Sequence, residues 1–346
     1  MKAVVIAEHG GPEVLSLTER DAPTPGAGQV LVDVRAVGLN HLDMWVRQGV
    51  PGHEFPLPLV PGCDFSGTVA ALGDGVTGLA VGQRVLAAPG LSCGRCRPCS
   101  EGDDHLCDHY GILGETTDGG CAEQAVLPAA NAIPMPDNID FVQAAAFPLT
   151  FLTAWHMLIV RCGLRAGDDV LVLAAGSGVG SAAIQIAKLH GARVIATAST
   201  QPKRDKALSL GADDVIDSTA DDWFKQVKAL TGRRGVDIVM EHVGEATFSG
   251  SLRCLAKGGR VVTCGATTGP KLTADLRHVF FKNLSILGST MGSRGELHQI
   301  IELVARGQLA PVIDRVLPLE SVADAHRAMT ARAQFGKIVL VTGDPQ

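Results

Sequence analysis

The chain has 346 residues, 46% hydrophobic and 19% charged, with 30 basic and 36 acidic side chains for a net charge of −6. At roughly 150 residues per domain, this length points to two domains with apolar material for two cores. The charge balance excludes a basic nucleic-acid footprint, and 4% aromatics with a single tyrosine exclude base-stacking platforms.

The opening apolar run, Ala3-Val4-Val5-Ile6-Ala7, is too short for a signal peptide or anchor. No stretch reaches the ~18 apolar residues of a membrane span, so a cytoplasmic protein with no membrane partner is expected. Up to about residue 150, short alternating runs such as 30–37 and 67–71 are separated by turn clusters. These are Thr24-Pro25-Gly26, Pro51-Gly52, Gly73-Asp74-Gly75 and Ala88-Pro89-Gly90, the texture of a loop-rich β domain. From about Phe147 to Gly288 the texture changes to apolar strands alternating with helices. Strands are predicted at 169–174, 193–197, 215–216, 236–240, 260–264 and 284–287. A helix is predicted over 178–190, where Val179, Ala183, Ile186 and Ala187 share one face. This alternation predicts an α/β fold with a doubly wound parallel sheet. The tail adds a helix over 296–306 and a strand over 337–341 that returns to the N-terminal part.

Residues 170–180 run a hydrophobic strand into the turn Gly176-Ser177-Gly178-Val179-Gly180, which opens the 178–190 helix. Glycines let a pyrophosphate approach the backbone, and the free amides of a helix N-terminus hold its charge. Ala175 and Ser177 replace the first two glycines of G-x-G-x-x-G, and Gly180 keeps the third. These five residues are the expected dinucleotide cradle, the plain alternative being a structural strand-to-helix turn. An acidic residue at the end of the second strand would hold the ribose hydroxyls. Ala198 stands there instead, followed by Ser199, Lys203 and Arg204. A hydroxyl and two cations favour the 2′-phosphate of NADP(H) over NAD(H), unless the cations merely solvate a helix start.

Cys93, Cys96, Cys99 and Cys107 offer four thiolates at C-x2-C-x2-C-x7-C spacing. Such a set closes a tetrahedral zinc with no open position, so one structural zinc per chain is expected. Cys63, Cys121, Cys162, Cys254 and Cys264 are scattered singly and read as buried thiols in a reducing compartment.

Several segments now add up. They are Lys2-Ala3-Val4-Val5, Gly38-Leu39-Asn40-His41-Leu42-Asp43, Pro61-Gly62-Cys63-Asp64-Phe65-Ser66-Gly67, Gly82-Gln83-Arg84-Val85, the cysteine lobe, Gly119-Gly120-Cys121-Ala122-Glu123 and the glycine turn. With these, the chain resembles the medium-chain dehydrogenase/reductase superfamily, the zinc alcohol dehydrogenase and quinone reductase group, from end to end. The resemblance implies a GroES-like substrate domain, 1–150 and 291–346 with a zinc lobe at 90–110, interrupted by a Rossmann domain at 151–290. It also implies a homodimer or homotetramer acting on a small-molecule substrate. It adds Thr153, His242, Gly265 and Ser289 to the cofactor-binding candidates.

Where zinc alcohol dehydrogenases carry Cys, His, Glu and a further Cys or Asp, this chain has Asn40, Cys63, Asp64 and Thr150. Asn and Thr are poor zinc ligands, and Leu42 replaces the usual proton-relay hydroxyl. Asn40 resembles the zinc-independent quinone and enoyl reductases, whose Asn faces the nicotinamide. In that reading Asp43 orients backbone or ribose, His41 is a candidate proton donor, and Cys63 is reactive only if its pKa falls below the usual ~8.5. The leading expectation is an NADPH-dependent reductase of conjugated carbonyls or quinones with structural zinc only. The alternatives are a zinc-type alcohol/aldehyde dehydrogenase and a non-catalytic NADPH-binding protein.

Overall fold

The computed structural model describes residues 1–343, which divide into two compact units: Met1–Thr150 with the chain from Ser293 onward, and Phe151–Gly292. In the first unit, β1 (Lys2–Ile6) and β2 (Leu15–Glu19) form an antiparallel ribbon. The spine of its larger sheet is β3 (Gln29–Gly38), in which Val32, Val34 and Ala36 are buried while Arg35 between them is exposed, the period-2 alternation of a strand. A helix, α1 (His41–Gln48), follows at once. It lies in a stretch whose texture reads as loop-rich β. Asp43 starts it by accepting the Asn40 amide at 2.7 Å, one half of a capping box.

Next come β4 (Asp64–Leu72), antiparallel to β3, and β5 (Arg84–Ala87), antiparallel to β4. The short pair β6 (Gly90–Leu91) and β7 (Gly111–Ile112) closes the loop that carries the cysteines, with α2 (Arg97–Glu101) inside it. β8 (Gln124–Pro128) pairs with β3, and β9 (Ala132–Pro134) with β5. α3 (Phe141–Ala146) lays Ala144, Ala145 and Ala146, all fully buried, onto this sheet. Gly38 permits the approach, since a Cβ there would collide with the Ala145 carbonyl oxygen.

α4 (Pro148–Trp155) leads into the second unit. There the chain alternates as β10 (Asp169–Val172), α5 (Gly178–Leu189), β11 (Arg193–Ala198), α6 (Gln201–Ser209) and β12 (Asp214–Asp217). It continues as α7 (Trp223–Leu230), β13 (Val236–Glu241), α8 (Phe248–Cys254), β14 (Leu255–Thr263), α9 (Leu276–Lys282) and β15 (Ser285–Gly288). The six strands are parallel in the order β12-β11-β10-β13-β14-β15. Counted within the unit this is 3-2-1-4-5-6, the Rossmann arrangement, whose switch point falls between β10 and β13. Val170, Leu171 and Val172 are all fully buried, as a strand covered on both faces requires. β14 begins at Leu255, five residues before the predicted strand. Lys257-Gly258-Gly259 reads as a turn, but the structure keeps it in the strand as an irregularity where the register against β13 shifts, with Gly258 at φ +75.

The chain then returns to the first unit with α10 (Arg294–Ala305), β16 (Ile313–Pro318), α11 (Val322–Thr330) and β17 (Lys337–Val341). β17 sits between β16, parallel, and β3, antiparallel. The expected fold class holds: a doubly wound parallel sheet inserted into a β-rich unit. No helix among the described residues is long and apolar enough to cross a membrane.

Candidate active site

Three strand ends of the first unit meet at a buried polar cluster, and sheet register puts them there. Gly38 of β3 pairs with Asp64 of β4 on one side and Val339 of β17 on the other. Asn40, Asp64 and Lys337 therefore converge. The Pro61-Gly62 turn delivers Cys63 to the same place. Gly62 has φ +98, and a Cβ there would lie 2.8 Å from the Cys121 sulfur, so only glycine fits. Asp43 pins both loops, accepting the Asn40 amide at 2.7 Å and the Gly62 amide at 3.0 Å.

Lys337 Nζ donates to Asn40 Oδ1 at 2.5 Å and lies 3.3 Å from Asp64 Oδ2. Asn40 Nδ2 donates to Asp64 Oδ2 at 2.9 Å and Gly38 O at 3.2 Å, with Cys63 Sγ at 3.3 Å. Asp64 Oδ1 accepts the Leu149 amide at 2.9 Å. Exposure is 0% for Cys63 and Asp64, 3% for Asn40 and 4% for Lys337, so none of these groups is screened by solvent. Burial pushes the Asp64 carboxyl up, against the pull of the Lys337 ammonium and the Asn40 amide. Burial, with the Asp64 charge, pushes the Cys63 thiol well up. This direction is opposite to the lowered pKa that a reactive thiolate needs.

As a catalytic zinc site the cluster does not fit. Its carboxylate is paired with an ammonium, and both Asn40 Nδ2 and Lys337 Nζ present donors where a metal needs lone pairs. Thr150 donates its hydroxyl to Phe147 O at 3.3 Å. His41 is exposed and stacks edge-on against Trp45 at 5.2 Å, while Thr153 is buried. Lys337 escapes a reading of the sequence. It heads an apolar strand, where a lysine is ordinarily an exposed end residue, and its carboxylate partner is 273 residues away.

Asp43 makes this site pH-sensitive. Burial raises its carboxyl from 3.8 to about 6. A raised folded-state pKa means that the folded protein favours the protonated form, so its contribution is present below 3.8 and lost as pH rises through about 6. Relative to Asp43→Asn, the wild type should lose up to about 3 kcal/mol of stability between pH 4 and 7. Urea unfolding of both proteins across that range measures it; a difference independent of pH would mean Asp43 titrates alike in both states.

In the cysteine lobe the sulfurs of Cys93, Cys96, Cys99 and Cys107 all lie within 4.8 Å of one another. Backbone amides point at them: Cys96 N at Cys93 Sγ and Cys93 N at Cys107 Sγ, both 3.4 Å, and His109 N at Cys107 Sγ, 3.3 Å. The amides of Arg95 and Cys96 pull the Cys93 thiol down to about 6. A compact set of four soft donors with amide support suits a tetrahedral zinc.

In the second unit, residues 176–180, Ser199, His242, Gly265 and Ser289 follow the C-terminal ends of β10, β11, β13, β14 and β15, while Lys203 lies on α6 and Thr153 on α4. Ser177 caps α5 by accepting the Gly180 amide at 2.8 Å. Among the described residues, the Gly178 and Val179 amides meet no hydrogen-bond acceptor, the arrangement that takes a phosphate charge. A Cβ on Gly180 would strike the Ala174 carbonyl oxygen, so the turn demands glycine there. Across the switch point, His242 Nε2 lies 3.0 Å from Leu173 O, and burial lowers its pKa. Gly265 follows β14, and the Ser289 hydroxyl after β15 is buried with no hydrogen-bond partner among the described residues. Such an orphaned group suits a site completed by a bound cofactor. Ser199 is exposed and Lys203 half-buried. Arg204, read as a phosphate partner, instead pairs with Asp217 at 2.8 Å. Glu241, the last residue of β13, organises that strand end. Fully buried, it accepts the Val243 and Gly244 amides at 2.7 and 3.1 Å and the Ser251 hydroxyl at 2.7 Å.

Comparison with known proteins places this architecture. Residues 26–137 match the family model described as the alcohol dehydrogenase GroES-like domain, and residues 178–306 that of zinc-binding dehydrogenase. The chain therefore belongs to the medium-chain dehydrogenase/reductase superfamily, and it is an oxidoreductase. The quinone oxidoreductase of Homo sapiens is 32% identical, the match covering 99% of this chain and 98% of that protein. The NAD-dependent alcohol dehydrogenase of Sulfolobus acidocaldarius is 33% identical, covering 94% and 95%. A solved structure of an NAD-dependent alcohol dehydrogenase is 52% identical, with a TM-score of 0.96 over 99% of this chain and 100% of that one.

Proposed function

We propose that the protein is an NADPH-dependent reductase of small conjugated carbonyls or quinones that works without a catalytic metal and carries one structural zinc on its four clustered cysteines. The observation that carries this reading is the Lys337–Asn40–Asp64 cluster, which fills with a lysine ammonium the place where a metal-dependent relative needs ligands. The nicotinamide cofactor, when bound, supplies the hydride. The Gly176–Gly180 turn holds its pyrophosphate, with Thr153, His242, Gly265 and Ser289 as further contacts. Ser199 and Lys203, which follow β11, are the residues that would favour a 2′-phosphate. Without a Lewis acid, an isolated carbonyl lacks several kcal/mol of stabilisation for its developing charge. A conjugated acceptor delocalises that charge and suffers least, and the exposed His41 is the candidate donor of the final proton.

One edge of the second unit's sheet supports a homodimer or homotetramer. β15 is an unpaired edge strand, and Ile286, Phe280 and Phe281 beside it are 47%, 59% and 70% exposed, an apolar edge that a second copy would cover. A second functional reading, an alcohol dehydrogenase using NAD, is favoured by the 52% identical relative and by the Arg204–Asp217 pair, which engages one of the two cations.

One experiment separates them: NADPH and NADH consumption with an enone, a quinone and an aldehyde, alongside zinc per chain. A charge-assisted phosphate contact, worth about 1.5–3 kcal/mol, should make NADPH bind roughly ten- to over a hundredfold tighter. Turnover should favour the conjugated substrates and persist at one zinc per chain. Tighter NADH binding, or aldehyde turnover that follows a second zinc, would establish the dehydrogenase reading instead.

A further inference from the structure

We propose that Lys337 is a built-in cation, a positioning residue whose ammonium compensates Asp64 in place of a divalent ion and thereby keeps the Asn40–Cys63–Asp64 cluster closed to metal. The inference rests on the metal-free reading above and assigns its cause to one side chain.

Three observations carry it. Among the described residues, the two side-chain groups within hydrogen-bond distance of Asp64 Oδ2 are both donors, Asn40 Nδ2 at 2.9 Å and Lys337 Nζ at 3.3 Å. A metal approaching this oxygen meets hydrogens and a positive charge. Next, Lys337 sets the orientation of the Asn40 amide. By donating to Oδ1 at 2.5 Å it turns Nδ2 toward Asp64 and Cys63 and occupies the amide's one oxygen ligand. Finally, the backbone holds the lysine in place. Lys337 N donates to Val312 O at 2.8 Å, and Gly336 before it has φ +96, with no room for a Cβ against the Val312 carbonyl. The ammonium is 4% exposed and has no solvent-facing alternative without leaving this network.

The charge balance follows. With Lys337 present, one ammonium offsets one carboxylate at 3.3 Å. With Lys337 removed, Asp64 is uncompensated and Asn40 Oδ1 is released. Cys63, Asp64 and Asn40 then offer a sulfur and two oxygens, a donor set suited to a borderline divalent ion. On binding, the Cys63 S–H bond breaks, its proton passes to water and a metal–sulfur bond forms. Thiolate and carboxylate together neutralise the doubly charged ion.

The test uses full-length protein with its cysteine lobe loaded with zinc. Wild type, Lys337→Ala, Lys337→Arg and Lys337→Ala/Cys63→Ser are titrated with Co2+. The readouts are metal content per chain and cobalt–thiolate absorption. Wild type and Lys337→Arg should stay at one metal per chain. Lys337→Ala should rise to two and gain the cobalt–sulfur band, which Cys63→Ser should abolish in the same background. Lys337→Met, apolar but of similar length, carries the same expectation if the alanine variant does not fold. A Lys337→Ala or Lys337→Met protein that stays at one metal overturns the role of Lys337 while metal-free turnover of the wild type still stands. A wild type that takes a Cys63-dependent second cobalt, with activity following it, overturns both.

Discussion

Cys96→Ser protein is expected to lose its zinc and the order of the segment from β6 to β7. Serine cannot replace a thiolate in a closed four-sulfur site, and structural zinc contributes about 10–16 kcal/mol in small peptides that fold only with metal. Here the lobe is tied into a larger unit by the β6–β7 pair and by the Asp104 carboxylate, which accepts the Arg294 amide at 3.0 Å. Part of that energy therefore appears as local unfolding rather than global collapse. Even about 3 kcal/mol felt globally would lower Tm by about 6–12 °C, at roughly 2–4 °C per kcal/mol for a unit of this size. Metal content, limited proteolysis across 90–112 and a thermal melt read this out. A metal-free variant that melts with the wild type and resists protease in the lobe would show that the four sulfurs have no structural ion to hold.

The second large effect is expected at Asp64. Replacing it with alanine leaves the Lys337 ammonium buried with, among the described residues, the Asn40 side-chain carbonyl as its one remaining acceptor, and strips the Leu149 amide of its acceptor. Breaking one side of a buried ion pair costs about 3–5 kcal/mol, and exposures of 0% and 4% leave no solvent to soften it. Replacing both partners with apolar residues, Asp64→Leu with Lys337→Met, should recover most of the loss, because the desolvation of both charges goes with them. Urea unfolding of the single and double variants measures the difference. If the double variant is as damaged as Asp64→Ala, the pair matters for its hydrogen bonds rather than its charges.

Much of this molecule is legible in short stretches of sequence, where spacing alone encodes geometry. The alternation from 169 to 287 specifies parallel strands with crossover helices, because a fully buried strand must be apolar throughout and its helix must show a 3.6-residue stripe. The cysteine spacing brings four sulfurs together because a tight loop cannot separate them. The glycine turn at 176–180 is visible because Gly180 leaves no room for a Cβ against the Ala174 carbonyl oxygen. Less legible were features where a local rule met a tertiary exception. Gly258-Gly259 looks like a turn until the register shift within β14 absorbs it, and α1 is hidden until Asp43 is seen holding the Asn40 amide.

The electrostatics of the site were decided only by the folded chain. Asn40, Cys63 and Asp64 can be named from sequence, but whether they face a metal, a substrate or a cation depends on which strand lies beside β3. That neighbour is β17, nearly 300 residues away, and the pairing of Gly38 with Val339 and Asp64 is what brings Lys337 to Asp64. Likewise Arg204 stands in sequence as a free phosphate partner, and only the packing of α6 against β12 supplies Asp217 to claim it. Local periodicity selects strands and helices because it reflects burial of each residue's own side chain. Charge pairing across a sheet reflects register, a property of two segments at once, and no single stretch of sequence contains it.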